Sequence, residues 1–312
     1  MVEVGELVEV LFASGLSTRR TSRVLEVLYG MKLSSQTASR LAAVGAEEVR
    51  RWKGRRLEEF YPVVFLDATF FPLRRGNKVE KEPIYIALGI RRDRRREILG
   101  WWEGGGGESA QLWEEILVEM SHRGLKRGLL FVGDGLRGLE GAVRRVFSDS
   151  WFQPCLLHAV RRTLLKVRVR DRKDIADELK ALYRASDREQ GRQRFERFKE
   201  RWMGVYPKVV AWWEEYLESL THFLEFPPEI RGMIYTTNQL ERLLKELKRR
   251  LKVMDMLPEE ERADKILYLI LHDLNERYQR RKLRGFEEAI EKHLDSISSE
   301  LREKICAQTQ LS

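Results

Sequence analysis

Residues 61–69 read Y-P-V-V-F-L-D-A-T, and residues 129–136 read L-L-F-V-G-D-G-L. In each stretch a run of apolar residues leads directly into an aspartate, Asp67 in the first and Asp134 in the second. Such an apolar run predicts a strand that is covered on both faces of a sheet. Open α/β sheets place their functional sites in the crevice at the carboxyl ends of neighbouring strands. The two stretches therefore predict an α/β fold with two carboxylates at one edge of its sheet.

Further strand patterns lie between and after these stretches. The sequences P-I-Y-I-A-L-G-I at 83–90 and R-E-I-L-G-W-W at 96–102 are joined by the charged turn R-R-D-R-R, and this spacing predicts a hairpin. A helix follows, and then come a strand at 128–132, a helix at 136–147 and a strand at 151–155. Three antiparallel strands followed by strands that alternate with helices predict a mixed sheet with helices on its faces.

Asp67 and Asp134 each also have a purely structural interpretation. Aspartate is common where a strand ends, and Asp134 stands where it would cap the following helix. Taken alone, either residue fits the structural interpretation better. Taken together they favour a site, because both end apolar runs that are predicted in one sheet.

A third carboxylate, Glu241, lies one turn into the predicted helix T-T-N-Q-L-E-R-L-L-K-E-L. A carboxylate from a helix that packs on the sheet would complete an oxygen cage for Mg²⁺. The spacing Asn238-x-x-Glu241 also fits a capping box, in which Asn238 caps the helix and Glu241 reaches back to it, and taken alone it favours that capping role. The long separation from Asp134 predicts a helical insertion between the second and third carboxylates.

Cys155 and His158 form a C-x-x-H pattern at the end of a predicted strand. A zinc site needs three or four ligands, and neither the other histidines nor Cys306 has a partner spacing. The pattern therefore favours a buried cysteine with a histidine that lines a pocket, with zinc as the alternative. With two cysteines in the chain, we expect no disulfide framework.

The chain has 312 residues and a formal net charge of +9, which favours a polyanion such as nucleic acid as partner. A basic protein without such a partner is the alternative. Basic residues cluster after the proposed site residues: Arg161, Arg162, Lys166, Lys245, Lys248 and Arg249. These runs are either a solvated face or a surface that neutralises DNA phosphates. No apolar stretch approaches the length of a membrane span, so we expect no membrane partner and a cytoplasmic, nucleoid-associated location.

The chain resembles the Mutator-type transposases of bacterial insertion sequences, a branch of the DDE recombinases with an RNase H-like core. The matching stretches occur in family order from about residue 60 to 280: Y-P-V-V-F-L-D-A, Y-I-A-L-G-I, I-L-G-W-W-E-G, G-D-G-L-R-G-L, C-L-L-H-A-V-R-R, P-P-E-I-R and Y-T-T-N-Q-L-E-R-L. Two positions depart from the family pattern. Arg162 stands where the family has Asn, and Gly133 stands where members often carry a larger side chain.

The resemblance implies a catalytic triad of Asp67, Asp134 and Glu241 that holds two Mg²⁺ ions, with Mn²⁺ as a substitute. It implies that His158 has a supporting role beside the scissile phosphate. The implied activity is strand cleavage at transposon ends and strand transfer into target DNA. The partners would be terminal inverted repeats, target DNA and further copies of the chain, as a homodimer or a higher oligomer. A non-catalytic DNA-binding regulator and a stand-alone nuclease are the alternatives.

We expect four segments. Residues 1–57 form a helical, DNA-binding segment, where short helices joined by tight turns suggest a helix-turn-helix or a generic helical subdomain. Residues 58–164 and 231–312 form the two parts of the RNase H-like core. Residues 165–230 form an all-helical insertion, in which helical spacing predicts that Trp202, Trp212 and Trp213 pack in the core.

Overall fold

The structure is a computed structural model that describes residues 47–294 apart from 76–77, 105–108, 137, 252–259 and 287, and, before residue 47, only residues 20, 23 and 24. Residues 47–53 are helical, as are the three isolated residues before them. Most of the 1–57 segment, including the predicted helix-turn-helix, lies outside the described residues and stays a prediction.

Five strands form one mixed sheet. They are β1 (Phe60–Arg75), β2 (Lys78–Ile90), β3 (Arg96–Glu103), β4 (Arg127–Gly133) and β5 (Trp151–Pro154). The strand order is β3-β2-β1-β4-β5. β1 pairs antiparallel with β2 and β2 pairs antiparallel with β3, whereas β4 is parallel to β1 and β5 is parallel to β4. The predicted α/β fold with a mixed sheet is confirmed.

Helices surround the sheet in the described part of the chain. They are α1 (Ala110–His122), α2 (Leu139–Val146), α3 (Leu156–Leu165), α4 (Arg172–Tyr183), α5 (Arg188–Trp202), α6 (Pro207–Leu220), α7 (Pro228–Ile234), α8 (Asn238–Leu251) and α9 (Glu260–Gln279). Short 3₁₀ turns lie at Val169–Asp171 and His222–Glu225. The division of the chain at residues 57, 164 and 230 stays a prediction.

β1 does not end at Asp67, as the sequence had predicted, but continues to Arg75. The residues after Asp67 alternate between the two faces, since Thr69 and Phe71 are buried while Phe70 is exposed. This half of β1 pairs only with β2, whereas the parallel neighbour β4 stops beside Leu66. Asp67 therefore marks the end of the parallel pairing and not the end of the strand.

Alternate side chains of β1 enter two different core layers. Val63 and Phe65 join the layer that contains α8, α9 and the helices between β5 and α8. Val64 and Leu66 join the layer that contains α1 and α2. Each such fully buried side chain stabilises the fold by about 1.5–3 kcal/mol. The apolar run that predicted a doubly covered strand is explained by these two layers.

The edge strand β3 is covered by α9. The backbone N–H of Ile98 donates a hydrogen bond to Asn275 Oδ1 at 2.8 Å, and the indole of Trp101 donates to Asp264 Oδ1 at 2.8 Å. An uncovered edge strand would offer its backbone groups to other chains. The side chains of α9 therefore satisfy the edge and fix the helix on the sheet.

All described elements between β5 and α8 are helical. Trp202 and Trp213 are buried, as their spacing predicted, whereas Trp212 is partly buried and stacks on Tyr216 with ring centroids 4.9 Å apart. The indole of Trp213 donates to Thr163 Oγ1 at 2.8 Å. Since Thr163 belongs to α3, this bond fastens α6 to the helix that begins at the carboxyl end of β5.

Arg231, in the P-P-E-I-R stretch, connects two segments of the helical region through its side chain. Its guanidinium donates hydrogen bonds to four backbone carbonyls, at 2.7–3.3 Å, from the loop after α4 and from the residues before α7: Ala185, Ser186, Leu224 and Phe226. One side chain thus joins two segments that are about 40 residues apart in the chain. Among the described residues, no helix is long and apolar enough to cross a membrane.

His222 gives the fold a pH-dependent component. Burial is the main cause that lowers the pKa of His222 to about 4, and the charge of Arg188 adds to the effect. The imidazole stacks on Trp151 with ring centroids 5.6 Å apart, and its Nδ1 is buried without a hydrogen-bond partner among the described residues. The fold therefore favours the neutral ring.

The stability that His222 contributes is complete above its unfolded pKa of about 6.5 and is lost as the pH falls towards 4. We expect His222→Phe, which keeps an aromatic ring but cannot take up a proton, to lose about 2–3 kcal/mol less unfolding free energy than the wild type between pH 7 and pH 4.5. Urea denaturation of both proteins at the two pH values measures the difference. Equal losses would contradict the assignment.

Candidate functional site

Asp67 and Asp134 each follow the last residue pair of the parallel ladder between β1 and β4. That ladder ends with the pair Leu66 and Gly133; Asp67 is the next residue of β1, and Asp134 is the first residue after β4. Asp67 is 9% exposed, and the side chain of Asp134 is 42% exposed. The apolar runs before the two residues bury both strands. This burial fixes the two aspartates at the carboxyl end of the parallel pairing between β1 and β4.

Gly133 lets the elements around Asp134 pack closely. A Cβ added at Gly133 would lie 2.8 Å from Leu139 Cδ2 and 3.3 Å from a ring atom of Phe152. The first distance is too short for carbon atoms, so a side chain here would require the Leu139 side chain to move. The departure from the family pattern is therefore matched by a close approach of the Leu139 side chain to the end of β4.

His158 lies between two of the acidic residues. Its Nδ1 is 3.8 Å from Asp134 Oδ1, and its Nε2 is 3.3 Å from Glu241 Oε1. The ring is placed there because β5 runs parallel to β4, so that α3, which starts directly after β5, begins at the sheet edge that carries Asp134. Asp134 and Glu241 thus flank one imidazole ring.

Glu241 is presented by the first turn of α8, which packs on β1. In a capping box Glu241 would accept a hydrogen bond from the backbone N–H of Asn238, but that N–H donates to Thr236 Oγ1 at 3.3 Å. Thr237 directly precedes the first residue of the helix. Its hydroxyl lies 3.3 Å from Glu241 Oε1, and its carbonyl accepts the Glu241 N–H at 2.7 Å.

Cys155 joins the three elements of the site. Its backbone N–H donates to the carbonyl of Gly133 at the end of β4, at 2.7 Å. Its Sγ is 3.4 Å from the Thr237 N–H nitrogen and 3.2 Å from the Thr237 hydroxyl, which can donate to Sγ or to Glu241. Cys155 is 1% exposed. The ends of β4 and β5 and the start of α8 are therefore held together at this residue.

The electrostatics of the site favour a proton on His158. A hydrogen bond with Cys155 is the main cause that raises the pKa of His158 to about 9, and the charges of Cys155, Asp134 and Asp67 add to it while burial opposes it. Burial raises the pKa of Cys155, but His158 and Thr237 outweigh burial and lower it below its ordinary value. A protonated imidazole offsets the negative charge that the carboxylates bring to this edge.

The structure brings together some of the predicted site residues more closely than others. Among the described residues, one group of three potential metal-ligand atoms lies within 4.8 Å of one another, and it comprises Cys155, His158 and Glu241. Asp67 and Asp134 are adjacent in register but lie outside that group. No local pattern indicated that Glu241 is the third partner of the C-x-x-H pair. It also missed Thr237, although a threonine directly before a helix is a capping signal.

The basic residues of α3 share a face with His158. Arg161 and Arg162 follow it by three and four residues, and both are exposed. The Arg162 guanidinium lies 5.8 Å from the ring of Trp212, and a Cβ added at Gly135 would be 3.3 Å from Arg162 Nη1. Arg162 therefore spans from the loop after β4 to the helical region. The exposed Lys166, just after α3, lines a shallow groove beside the same tryptophan.

The basic residues of α8 differ in their partners. Lys245 and Lys248 follow Glu241 by four and seven residues, so they lie on its face of the helix. Both are exposed, and within the described ranges neither has an ion-pair partner. Arg249 instead makes two hydrogen bonds with Glu246, at 2.7 and 2.8 Å. Its charge is already partly neutralised within the helix.

Comparison with known proteins identifies the family of this chain. The family model described as "Transposase, Mutator family" matches residues 2–281. The transposase for insertion sequence element ISRM3 of Rhizobium meliloti (strain 1021) is 35% identical over 271 residues, which cover 86% of this chain and 68% of that protein. The transposase for element IS905 of Lactococcus lactis subsp. lactis (strain IL1403) is 36% identical over 281 residues, covering 90% and 71%.

A more distant relative is the transposase for element IS256 in transposon Tn4001 of Staphylococcus aureus, which is 27% identical over 282 residues and covers 89% of this chain and 72% of its own. Among solved structures, the Drosophila P element transposase strand transfer complex matches 93% of this chain and 91% of its own chain. The sequence identity is 8% and the TM-score is 0.31. The family match over most of the chain, together with relatives above 30% identity, is decisive. This chain belongs to the Mutator family of transposases.

Proposed function

We propose that this transposase is a DDE enzyme that cleaves DNA at transposon ends and transfers the cut strands into target DNA, in a metal-dependent reaction. The observation that supports the proposal is the register of β1 and β4, which ends one residue before Asp67 and Asp134. Glu241, the third proposed carboxylate, comes from α8, and Glu241 and Asp134 both lie within 4 Å of the His158 imidazole.

We infer that the sheet is an RNase H-like core. Support comes from the strand order β3-β2-β1-β4-β5, in which three antiparallel strands precede two strands parallel to β1. The two proposed catalytic aspartates occupy its central pair of strands. The helices between β5 and α8 stand where the proposed insertion, residues 165–230, would be, and the 1–57 segment is the proposed DNA-binding, helix-turn-helix-like part.

Asp67, Asp134 and Glu241 are the residues that would hold divalent metal. Their carboxylate oxygens are the donors that Mg²⁺ prefers, and Mn²⁺ accepts the same set. When bound, a pair of such ions activates the attacking oxygen and stabilises the leaving one in an in-line displacement at phosphorus. Asp67 is held in the buried sheet and Asp134 at its end, so the protein fixes two of the three donors through its backbone.

His158 has a separate proposed role beside these acids. It lies within 4 Å of Asp134 and of Glu241, and in the metal-free protein it carries the compensating positive charge. We propose that it hydrogen-bonds the scissile phosphate when DNA is bound, because an imidazolium is a donor at both nitrogens. In this role His158 only holds the phosphate next to the carboxylates, so no covalent intermediate with the protein is required.

Six basic residues are the proposed contacts to DNA phosphates: Arg161, Arg162, Lys166, Lys245, Lys248 and Arg249. The arginines of α3 share a helix face with His158, and the lysines of α8 share a helix face with Glu241. The basic side chains of both helices therefore lie next to the proposed catalytic residues along these faces. Arginine binds phosphate through paired hydrogen bonds, and lysine acts as a point charge. A net charge of +9 supports a polyanionic partner.

Further parts of the proposal rest on the family. The relatives carry names of transposases for insertion sequence elements, so we propose that the substrates are the terminal inverted repeats of such an element and its target DNA. We also propose a homodimer or higher oligomer on DNA, and action at the nucleoid. A regulator that only binds DNA would lack metal-dependent cleavage, and a stand-alone nuclease would cleave without joining.

Asp67→Ala tests the catalytic assignment. Because even groups one step removed from a metal change activity by about 10–100-fold, loss of a ligand should lower Mg²⁺-dependent cleavage of end DNA by at least about 100-fold. DNA binding should stay within about twofold, since surface charge contacts are untouched. A cleavage assay and a binding titration on the same DNA measure the two effects. Asp149→Ala, at an exposed position before β5, is the matched control and should keep both. Cleavage at the wild-type rate by Asp67→Ala would sink the assignment.

The double variant Lys245→Ala/Lys248→Ala tests the DNA face of α8. Each lost phosphate contact should reduce the slope of log affinity against log salt by about 0.9, so the pair should reduce it by about 2. Lys126→Ala is the matched control, because Lys126 lies at the opposite end of β4 from Asp134 and pairs with Glu59 at 2.8 Å. Binding titrations at several salt concentrations measure the slopes. Equal slopes for the wild type and the double variant would show that DNA does not follow this face.

A further inference from the structure

We propose that Cys155, His158 and Glu241 form a site for one thiophilic divalent cation of the zinc class. Their ligand atoms lie within 4.8 Å of one another. The C-x-x-H pattern supplies only two ligands along the chain, and α8 supplies the third in space. The proposed catalysis uses Asp67, Asp134 and Glu241, so Cys155 is a donor that it leaves without a role.

The donor set suits zinc better than magnesium. Sulfur, nitrogen and oxygen ligands are those of Zn²⁺, which takes three protein ligands and leaves a fourth position for water in open sites. Two ligand atoms on a tetrahedral zinc ion lie about 3.3–3.6 Å apart, given its usual bond lengths. The distance of 3.3 Å between His158 Nε2 and Glu241 Oε1 already matches this spacing. The sulfur needs to approach by about 1.2 Å at most, since 4.8 Å bounds the separations.

The surroundings of Cys155 favour the thiolate that a metal requires. The N–H of Thr237 donates to Sγ at 3.4 Å, and the Thr237 hydroxyl, which can donate either to Sγ or to Glu241, lies 3.2 Å from Sγ. Cys155 also occupies the N-terminal cap position of α3, a helix of ten residues, where the helix dipole favours negative charge. Its own backbone is fixed by the bond to Gly133. The backbone of Cys155 is therefore held in place before any cation binds, while its side chain can still adjust.

Asp134 supplies the outer contact that a metal-binding histidine usually has. Such a histidine donates its second ring N–H to a carboxylate or carbonyl, which sets the orientation of the ring. When Nε2 of His158 binds the cation, Nδ1 faces Asp134 Oδ1 at 3.8 Å. Nδ1 is buried and has no hydrogen-bond partner within the described part of the chain. A shift of under 1 Å would complete this hydrogen bond.

Glu241 belongs to the proposed magnesium site and also to the zinc-class site. The effect of the zinc-class cation on cleavage therefore rests on the proposed function. A carboxylate that binds a cation beside Cys155 and His158 is withdrawn from Asp67 and Asp134. Zinc-class cations should therefore inhibit Mg²⁺-dependent cleavage. The binding itself is independent of that function, because it needs neither DNA nor catalysis.

Co²⁺ is the probe for the site. The full chain, without an affinity tag and stripped with a chelator, is titrated with Co²⁺ while its absorption spectrum is recorded. We expect a thiolate-to-cobalt charge-transfer band that saturates at one ion per chain and that disappears when Zn²⁺ displaces the cobalt. A spectrum without this band would overturn the proposal.

Variants identify the ligands. Cys155→Ser should abolish the charge-transfer band, whereas Cys306→Ser, at the other of the two cysteines, should keep it. A band that survives Cys155→Ser, or that is lost in Cys306→Ser, would overturn the assignment. Glu241→Gln should weaken Co²⁺ binding by at least about tenfold. Because Glu241 is partly exposed, this variant decides the question if Cys155→Ser does not fold, and an unchanged affinity would refute the site.

The outcomes separate this site from the proposed function. Asp67→Ala should bind Co²⁺ with the affinity of the wild type even though its cleavage is lost. A wild-type chain that binds Co²⁺ but never cleaves DNA would sink the DDE assignment alone. A chain that cleaves with Mg²⁺ and shows no thiolate band would sink the zinc-class site alone. Cleavage that persists at Zn²⁺ concentrations that saturate the site would show that Glu241 is not shared.

Discussion

The parallel pairing of β1 with β4 is the constraint on which the site depends. Two chain segments more than 60 residues apart are aligned residue by residue until Leu66 meets Gly133, and the pairing then stops. Because both strands are buried by core layers on either face, a slip of one residue would exchange the apolar side chains of the two layers. The positions of Asp67 and Asp134 are therefore determined by hydrophobic burial and not by any attraction between the acids, which repel each other.

The second requirement is a junction that brings helices to this edge. Cys155 meets the end of β4 through its backbone and the start of α8 through its sulfur, while the indole of Trp213 anchors α3 from the other side. His158 and Glu241 are consequently set by short polar contacts between element ends. Such contacts can adjust by fractions of an ångström, whereas the strand register cannot. The site thus combines a rigid acidic pair with a more adaptable cysteine, histidine and glutamate.

Local patterns in the sequence were sufficient for the sheet and for the positions of the two aspartates after apolar runs, while their catalytic role stays a prediction. Apolar runs and turn residues act over a few positions, which is why the strands, the hairpin and the helical stretch after β5 could be predicted. The extension of β1 beyond Asp67 was missed because its alternating pattern is interrupted by the adjacent Phe70 and Phe71. The grouping of Glu241 with Cys155 was missed because it depends on the packing of α8, which no local periodicity encodes. The helix starts at Asn238, one residue earlier than a cap at Asn238 would require, which is within the usual uncertainty of helix ends.

Arginines in DNA-processing enzymes are commonly assigned to phosphate binding, and Arg231 stands in one of the stretches that identify the family. Its guanidinium, however, already donates hydrogen bonds to four backbone carbonyls. Lysine could not replace it, because an ammonium group has three donors and no planar fork. Arginine at this position is then explained by architecture, because it links the two ends of the helical region. A residue of a family motif can thus have its role within the protein's own framework.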